Sequence, residues 1–153
     1  MNIATIFIEK ITFGHSVTQA SQIAIIFNEN GEMKCLHYFI ENSAKHSMNS
    51  TALKTALIDI YSVLGDKSII LYNFDNIDYD FLKGSYKKLN LEFNNQIIDV
   101  SKKAKEIGIK KINLRNLCTI FKVSSKNSKK IPSSLFKARQ LYLVANHLYK
   151  LNG

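Results

Sequence analysis

The feature that most constrains this chain is a change in the period of its apolar residues. Up to Ile40 they come in β-favouring runs. Beyond residue 50, helically spaced segments alternate with short apolar runs. The runs Ile3 to Glu9, Gln22 to Phe27 and Met33 to Ile40 read as strands. Asn28-Glu29-Asn30-Gly31 between the second and third is a turn signal, so those two form a hairpin. Ser50 stands where a helix N-cap belongs. Leu53, Leu57, Ile60, Tyr61 and Leu64 then recur at helical spacing until Gly65 stops them. Ser68 to Tyr72 predicts a buried strand, Asp75 to Leu89 a helix and Gln96 to Ile98 a further strand. Asp99 caps a helix over Val100 to Glu106. Another helix carries Leu114, Leu117, Cys118 and Phe121. A polar, basic loop, Ser124 to Lys130, leads through the only proline, Pro132, to a last helix from about Ser134 to Tyr149.

A hairpin-rich start followed by strand–helix alternation predicts an α/β fold. Its mixed sheet has three antiparallel strands, then parallel ones, with helices on its faces. No linker or repeat divides the chain, and 153 residues with 46% apolar content suit one domain over 1–153. No apolar run approaches the ~20 residues of a membrane span, and Ile3 to Ile8 lacks the basic leader of a secretory signal. Cys35 and Cys118 stand apart, and His15, His37, His46 and His147 form no ligand spacing. The expectation is a reduced, cytoplasmic protein.

Charge is uneven. Lys and Arg number 21 against 12 Asp and Glu, a net +9. Residues 101–139 hold twelve basic residues and one acid, a net +11, leaving the rest of the chain at −2. Such asymmetry points to a polyanionic partner, whose phosphates release counterions when neutralised. The alternative is a lysine-rich solvated surface.

Five stretches, taken in order, resemble the DnaQ-like 3′–5′ exonucleases, a family with a ribonuclease H-like fold. Phe7-Ile8-Glu9 ends the first strand where that family has Asp-x-Glu. Tyr72-Asn73 followed by Asp78-Tyr79-Asp80-Phe81-Leu82 is similar to its His-Asn strand end and the Asp beyond it. Ile97-Ile98-Asp99-Val100 and Asn113-Leu114-Arg115-Asn116-Leu117-Cys118 resemble its Ile-Asp-Thr and Lys-Leu-Asp-x-Leu-Cys segments. Pro132-Ser133-Ser134-Leu135-Phe136-Lys137-Ala138 lies in register with its third motif, His-x-Ala-Leu-x-Asp-Ala.

The resemblance implies phosphodiester hydrolysis by two divalent ions on four acids with a His or Tyr base. The departures remove most of that machinery. Phe7 replaces the first Asp, Lys137 the last, and Pro132 the His, while Ser133 falls at the Tyr of an alternative subfamily. Only Glu9 and Asp78 survive as vestigial acids. Residues i and i+2 of a strand share a face, so Phe7 points where Glu9 does. Lys137 either replaces the metal by pairing with Glu9 and Asp78 or points into water. The expectation is a protein that no longer cleaves, with no catalytic residue and no cofactor. It binds nucleic acid through Lys122, Lys126, Lys129 and Lys130. One alternative is a protein–protein subunit working with a polymerase- or helicase-type partner. Another is a residual nuclease holding Mg²⁺ or Mn²⁺ on Glu9, Asp78 and Asp99.

Overall fold

A computed structural model describes residues 2–13, 17–41, 50–72 and 77–151. Among the described residues, six strands form one sheet in the order β4-β3-β2-β1-β5-β6. β1 (Ile3–Phe13), β2 (Val17–Glu29) and β3 (Glu32–Ile40) run antiparallel. β5 (Ser68–Leu71) lies parallel to β1, and β6 (Ile97–Asp99) parallel to β5. The expected mixed sheet is therefore present, with one addition: β4 (Ser50–Thr51) pairs in parallel with Phe39 and Ile40 at the far edge.

The β2–β3 hairpin follows from its turn chemistry. Asn30 and Gly31 have φ of 55° and 82°, and the Gly31 N–H donates to Asn28 Oδ1 at 3.0 Å. Two consecutive left-handed residues match the twist of the flanking strands. The first hairpin runs further than expected, with β1 continuing past Glu9 to Phe13 and β2 starting at Val17 rather than Gln22. A bulge makes this possible. Glu9 faces Gln22 but Lys10 faces Ala20, so Ser21 is the extra residue, and its hydroxyl donates to the Glu9 carbonyl at 3.1 Å.

Ser50 is not an N-cap. It lies in β4, and α1 (Leu53–Leu64) starts from Ala52 with no side-chain cap. Gly65, at φ 50°, ends α1 as expected. α2 (Ile77–Lys88) starts inside the predicted Asp75 to Leu89, and Asn73 and Asp75 lie outside the described residues, as do His15 and His46. α3 (Val100–Glu106), α4 (Leu114–Ile120) and α5 (Ser133–Tyr149) complete the chain.

Alternation along β1 builds two cores. Ala4, Ile6 and Ile8 pack with Ile23, Ile25 and Phe27 against Leu57, Ile60 and Leu64 of α1 and Leu82 and Tyr86 of α2. On the opposite face, Ile3, Ile70 and Ile98 pack against Val100 and Ala104 of α3, Leu117 of α4, and Leu141 and Val144 of α5. Ala24 and Ile26 meet Leu135 and Ala138 at the start of α5, with Phe7 beside them. Each fully buried Val, Leu or Ile among them contributes about 1.5–3 kcal/mol on burial. No helix among the described residues is long and apolar enough to cross a membrane.

Candidate functional site

The site forms where the middle of β1 meets the start of α5. Phe7 and Glu9 share the α5 face of β1, and the i, i+4 spacing of Ser133 and Lys137 turns both toward that face. The Lys137 ammonium donates to Glu9 Oε1 at 2.8 Å. The Ser133 hydroxyl lies 2.9 Å from Oε2 and 3.1 Å from Oε1. Lys137 Nζ also sits 5.5 Å from the centroid of the Phe7 ring, an attractive arrangement for an ammonium and an aromatic face. The cation thus rests between an acid and a ring.

Partial burial pushes the Glu9 carboxyl up. Hydrogen bonds from Lys137 and Ser133, with the Lys137 charge, outweigh it and hold the group below the usual carboxylate value. Beside this cluster, Gln22 Oε1 lies 3.0 Å from both the Ser134 hydroxyl and His37 Nε2. The amide oxygen only accepts, so Nε2 carries the proton in this arrangement. Burial holds the His37 imidazole below its usual value, against an opposing pull from the Glu9 charge.

Asp78 is placed differently. Lys10 follows Glu9 on the strand and therefore points to the other face of the sheet, where its ammonium pairs with the buried Asp78 of α2. Burial raises the Asp78 carboxyl above its usual value even with Lys10 in contact. Pairing of Lys137 with both surviving acids is thus corrected: Lys137 holds Glu9, and Lys10 holds Asp78. Asp99 ends β6, separated from β1 by β5. Its carboxylate accepts from the Lys102 N–H at 3.0 Å and the Ser101 hydroxyl at 2.7 Å, as a helix cap does. Pro132 is the N-cap residue of α5 and offers no proton-transfer group.

The residues do not fit a pair of divalent ions. Such ions need several converging oxygens. Among the described residues, the Glu9 carboxylate is bound by an ammonium, an aromatic ring takes the neighbouring position, and Asp78 and Asp99 are engaged elsewhere. A dication ~4 Å from the ammonium would be repelled by several kcal/mol at intermediate dielectric. Among the described residues, no group of three or more His, Cys, Asp or Glu is arranged to hold a metal.

Next to the Lys137–Glu9 pair lies a groove of about 450 Å³, lined by Phe7, Tyr72, Arg115, Phe136, Lys137 and Gln140 among others. Tyr72 is fixed by a hydrogen bond from its hydroxyl to the Ile112 carbonyl at 2.5 Å. Phe136 and Gln140 also line a second groove of about 230 Å³ that includes Lys126 and Lys129. Gln140 Nε2 donates to the Ser124 carbonyl at 3.0 Å and so ties the basic loop to α5. Lys122 and Lys130 are exposed at the two ends of this loop region, with φ of 55° and 50°, and line neither groove. Sequence reasoning missed Lys10, Gln22 and the part Arg115 plays in the groove. Strand alternation alone would have put Lys10 on the face opposite Glu9.

The model of a family described as the RNase H superfamily matches residues 8–146, from the middle of β1 through nearly all of α5. No curated protein matches the chain.

Proposed function

Because this chain belongs to the RNase H superfamily, we propose that it is a degenerate, DnaQ-like member that binds single-stranded nucleic acid in the cytoplasm without cleaving it. The observation that carries this reading is the Lys137 ammonium on the Glu9 carboxylate, 2.8 Å away and over the Phe7 ring. A fixed cation in that position neutralises Glu9 without a metal, and Arg115 in the adjoining groove is the cation that attracts phosphate. The groove beside it offers aromatic rings, and bases stack on such rings with little regard to sequence. Arg115, Lys126 and Lys129 stand along the two grooves, which share Phe136 and Gln140, at positions suited to phosphates. Lys122 and Lys130 extend the positive surface at either end of the loop. No step of bond cleavage follows from these residues, and neither Mg²⁺ nor Mn²⁺ is required.

The test is a titration of a fluorescein-labelled single-stranded oligonucleotide at several salt concentrations, run beside a hydrolysis assay with Mg²⁺ and with Mn²⁺. Binding should weaken with salt at a log–log slope of about −0.7 for each phosphate neutralised, and the oligonucleotide should stay intact. Absence of binding at low salt removes the proposal. Metal-dependent shortening that a Glu9→Ala variant abolishes replaces it with a residual nuclease.

A further inference from the structure

We propose that the open face of β3 beside α5 docks an acidic amphipathic helix of a partner protein. This goes beyond the nucleic-acid reading and does not depend on it.

The register places the relevant residues. Cys35 pairs with Ile26 and His37 with Ala24 across the β2–β3 ladder. Ala24 and Ile26 lie beneath Leu135 and Ala138 of α5. Directly opposed residues share a face, so Met33, Cys35, His37 and Phe39 form the row on the α5 side of β3. That row is left open. Met33 is 52% exposed, Phe39 45%, and Cys35 is also exposed. Leu143 of α5, 45% exposed, lines the same groove as Met33 and Cys35, which has a volume of about 370 Å³. A helix ~10 Å wide covers about two strands spaced ~4.8 Å apart. α5 lies chiefly on β1 and β2, so among the described residues no helix of this layer is centred over β3.

Charge selects the occupant. Lys129 and Arg139 flank the apolar floor of this groove, so the incoming helix needs acids beside its apolar stripe. A second copy of the chain would bring the same two cations and a net charge of +9, which opposes self-association. A nucleic-acid strand would satisfy Lys129 and Arg139 and leave the aliphatic side chains of Met33 and Leu143 in water. An acidic helix with leucines on one face meets both requirements, in the manner of helix-in-groove recognition.

The probe is a fluorescein-labelled peptide of about 18 residues, or five turns, with leucines at i, i+3, i+4 and i+7 and glutamates beside them. It is titrated into the full chain and followed by anisotropy. Saturable binding is expected, weakened at least about tenfold by Met33→Glu, Leu143→Glu or Arg139→Glu. The peptide should also slow alkylation of Cys35 by a maleimide. Circular dichroism checks that each variant is folded, and Met33→Ser replaces any variant that is not. The groove shares Lys129, Arg139 and Leu143 with the second groove of the proposed function, so the variant that tells the two apart is Met33→Ser, which adds no charge and should weaken the peptide while leaving oligonucleotide binding unchanged. Four results overturn the inference. The variants bind the peptide as well as the native chain does. A lysine-for-glutamate peptide binds equally. A peptide with its leucines scattered off the face binds equally. Sedimentation shows a dimer that Leu143→Glu dissociates, which makes the occupant a second copy.

Discussion

Lys137 on the last helix and Glu9 on the first strand meet at 2.8 Å across 128 residues of sequence. Their contact fastens α5 to β1 and gives the acid a permanent counter-ion, so its consequences extend from stability to ligand choice.

The pair makes a pH-dependent contribution. The Glu9 carboxyl lies below its usual value in the folded protein, so the stabilisation is present above the unfolded-state pKa and is lost as pH falls through the folded one. Both groups are partly exposed, which limits the contribution to about 0.5–1 kcal/mol. Lys137→Met should lower the melting temperature by about 1–4 °C at neutral pH and by less near pH 3. Equal losses at both pH values would mean that the pairing contributes nothing.

Asp78 and Lys10 should behave in the opposite sense. Burial raises the Asp78 carboxyl, so ionising it costs stability, and stability contributed by the protonated form declines as pH rises above the unfolded value toward the folded one. Lys10→Met leaves a buried acid without its counter-ion and should cost about 3 kcal/mol at neutral pH. The loss should shrink in acid, where Asp78 takes up a proton, and Asp78→Asn in the same background should restore part of it. Urea denaturation of the single and double variants measures the effect.

Thr5 gives a stabilising prediction. Its hydroxyl is buried and has no hydrogen-bond partner among the described residues. Removing an unsatisfied buried polar atom without changing the shape of the side chain gains about 1 kcal/mol. Thr5→Val should therefore raise the denaturation midpoint with no change in the denaturant slope.

The two grooves set the salt dependence of any oligonucleotide complex. Lys126→Ala and Lys129→Ala should each weaken binding at low salt and reduce the magnitude of the log–log salt slope by about 0.7. Lys122→Ala and Lys130→Ala, at the ends of the loop region, should have smaller effects. Equal effects at all four positions would point to a diffuse cationic field rather than the two grooves.

Metal addition provides a check that needs no substrate. A ligand that binds only the folded state raises the melting temperature with its concentration. With Lys137 in contact with Glu9, millimolar Mn²⁺ should leave the melting temperature of the native chain unchanged. A concentration-dependent rise would mean that a divalent ion finds ligands despite the ammonium.

Several features were legible because they depend on neighbours in the chain. Asn30 and Gly31 form the hairpin turn because both accept left-handed backbone, and Gly65 ends α1 for the same reason. Asp99 caps α3 because its acceptor oxygen reaches an amide three residues on. Ser50 was misread because the parallel pairing of Ser50 and Thr51 with Phe39 and Ile40 displaced the local capping preference. The match of residues 8–146 to the RNase H superfamily agrees with the element order read from the sequence.

By itself the sequence determined the periods, the turns, the mixed sheet and the cationic segment from Ser101 to Arg139. All of these rest on backbone sterics and composition within short spans. Only the tertiary structure decided which cation meets which acid. Glu9 and Lys10 are adjacent, but the pleat sends them to opposite faces, where α5 supplies Lys137 to one and α2 supplies Asp78 to the other. Charge attraction is non-directional, so residue identity does not choose a partner. The choice was made by strand register, the bulge at Ser21 and the packing of two helices on opposite faces of the sheet.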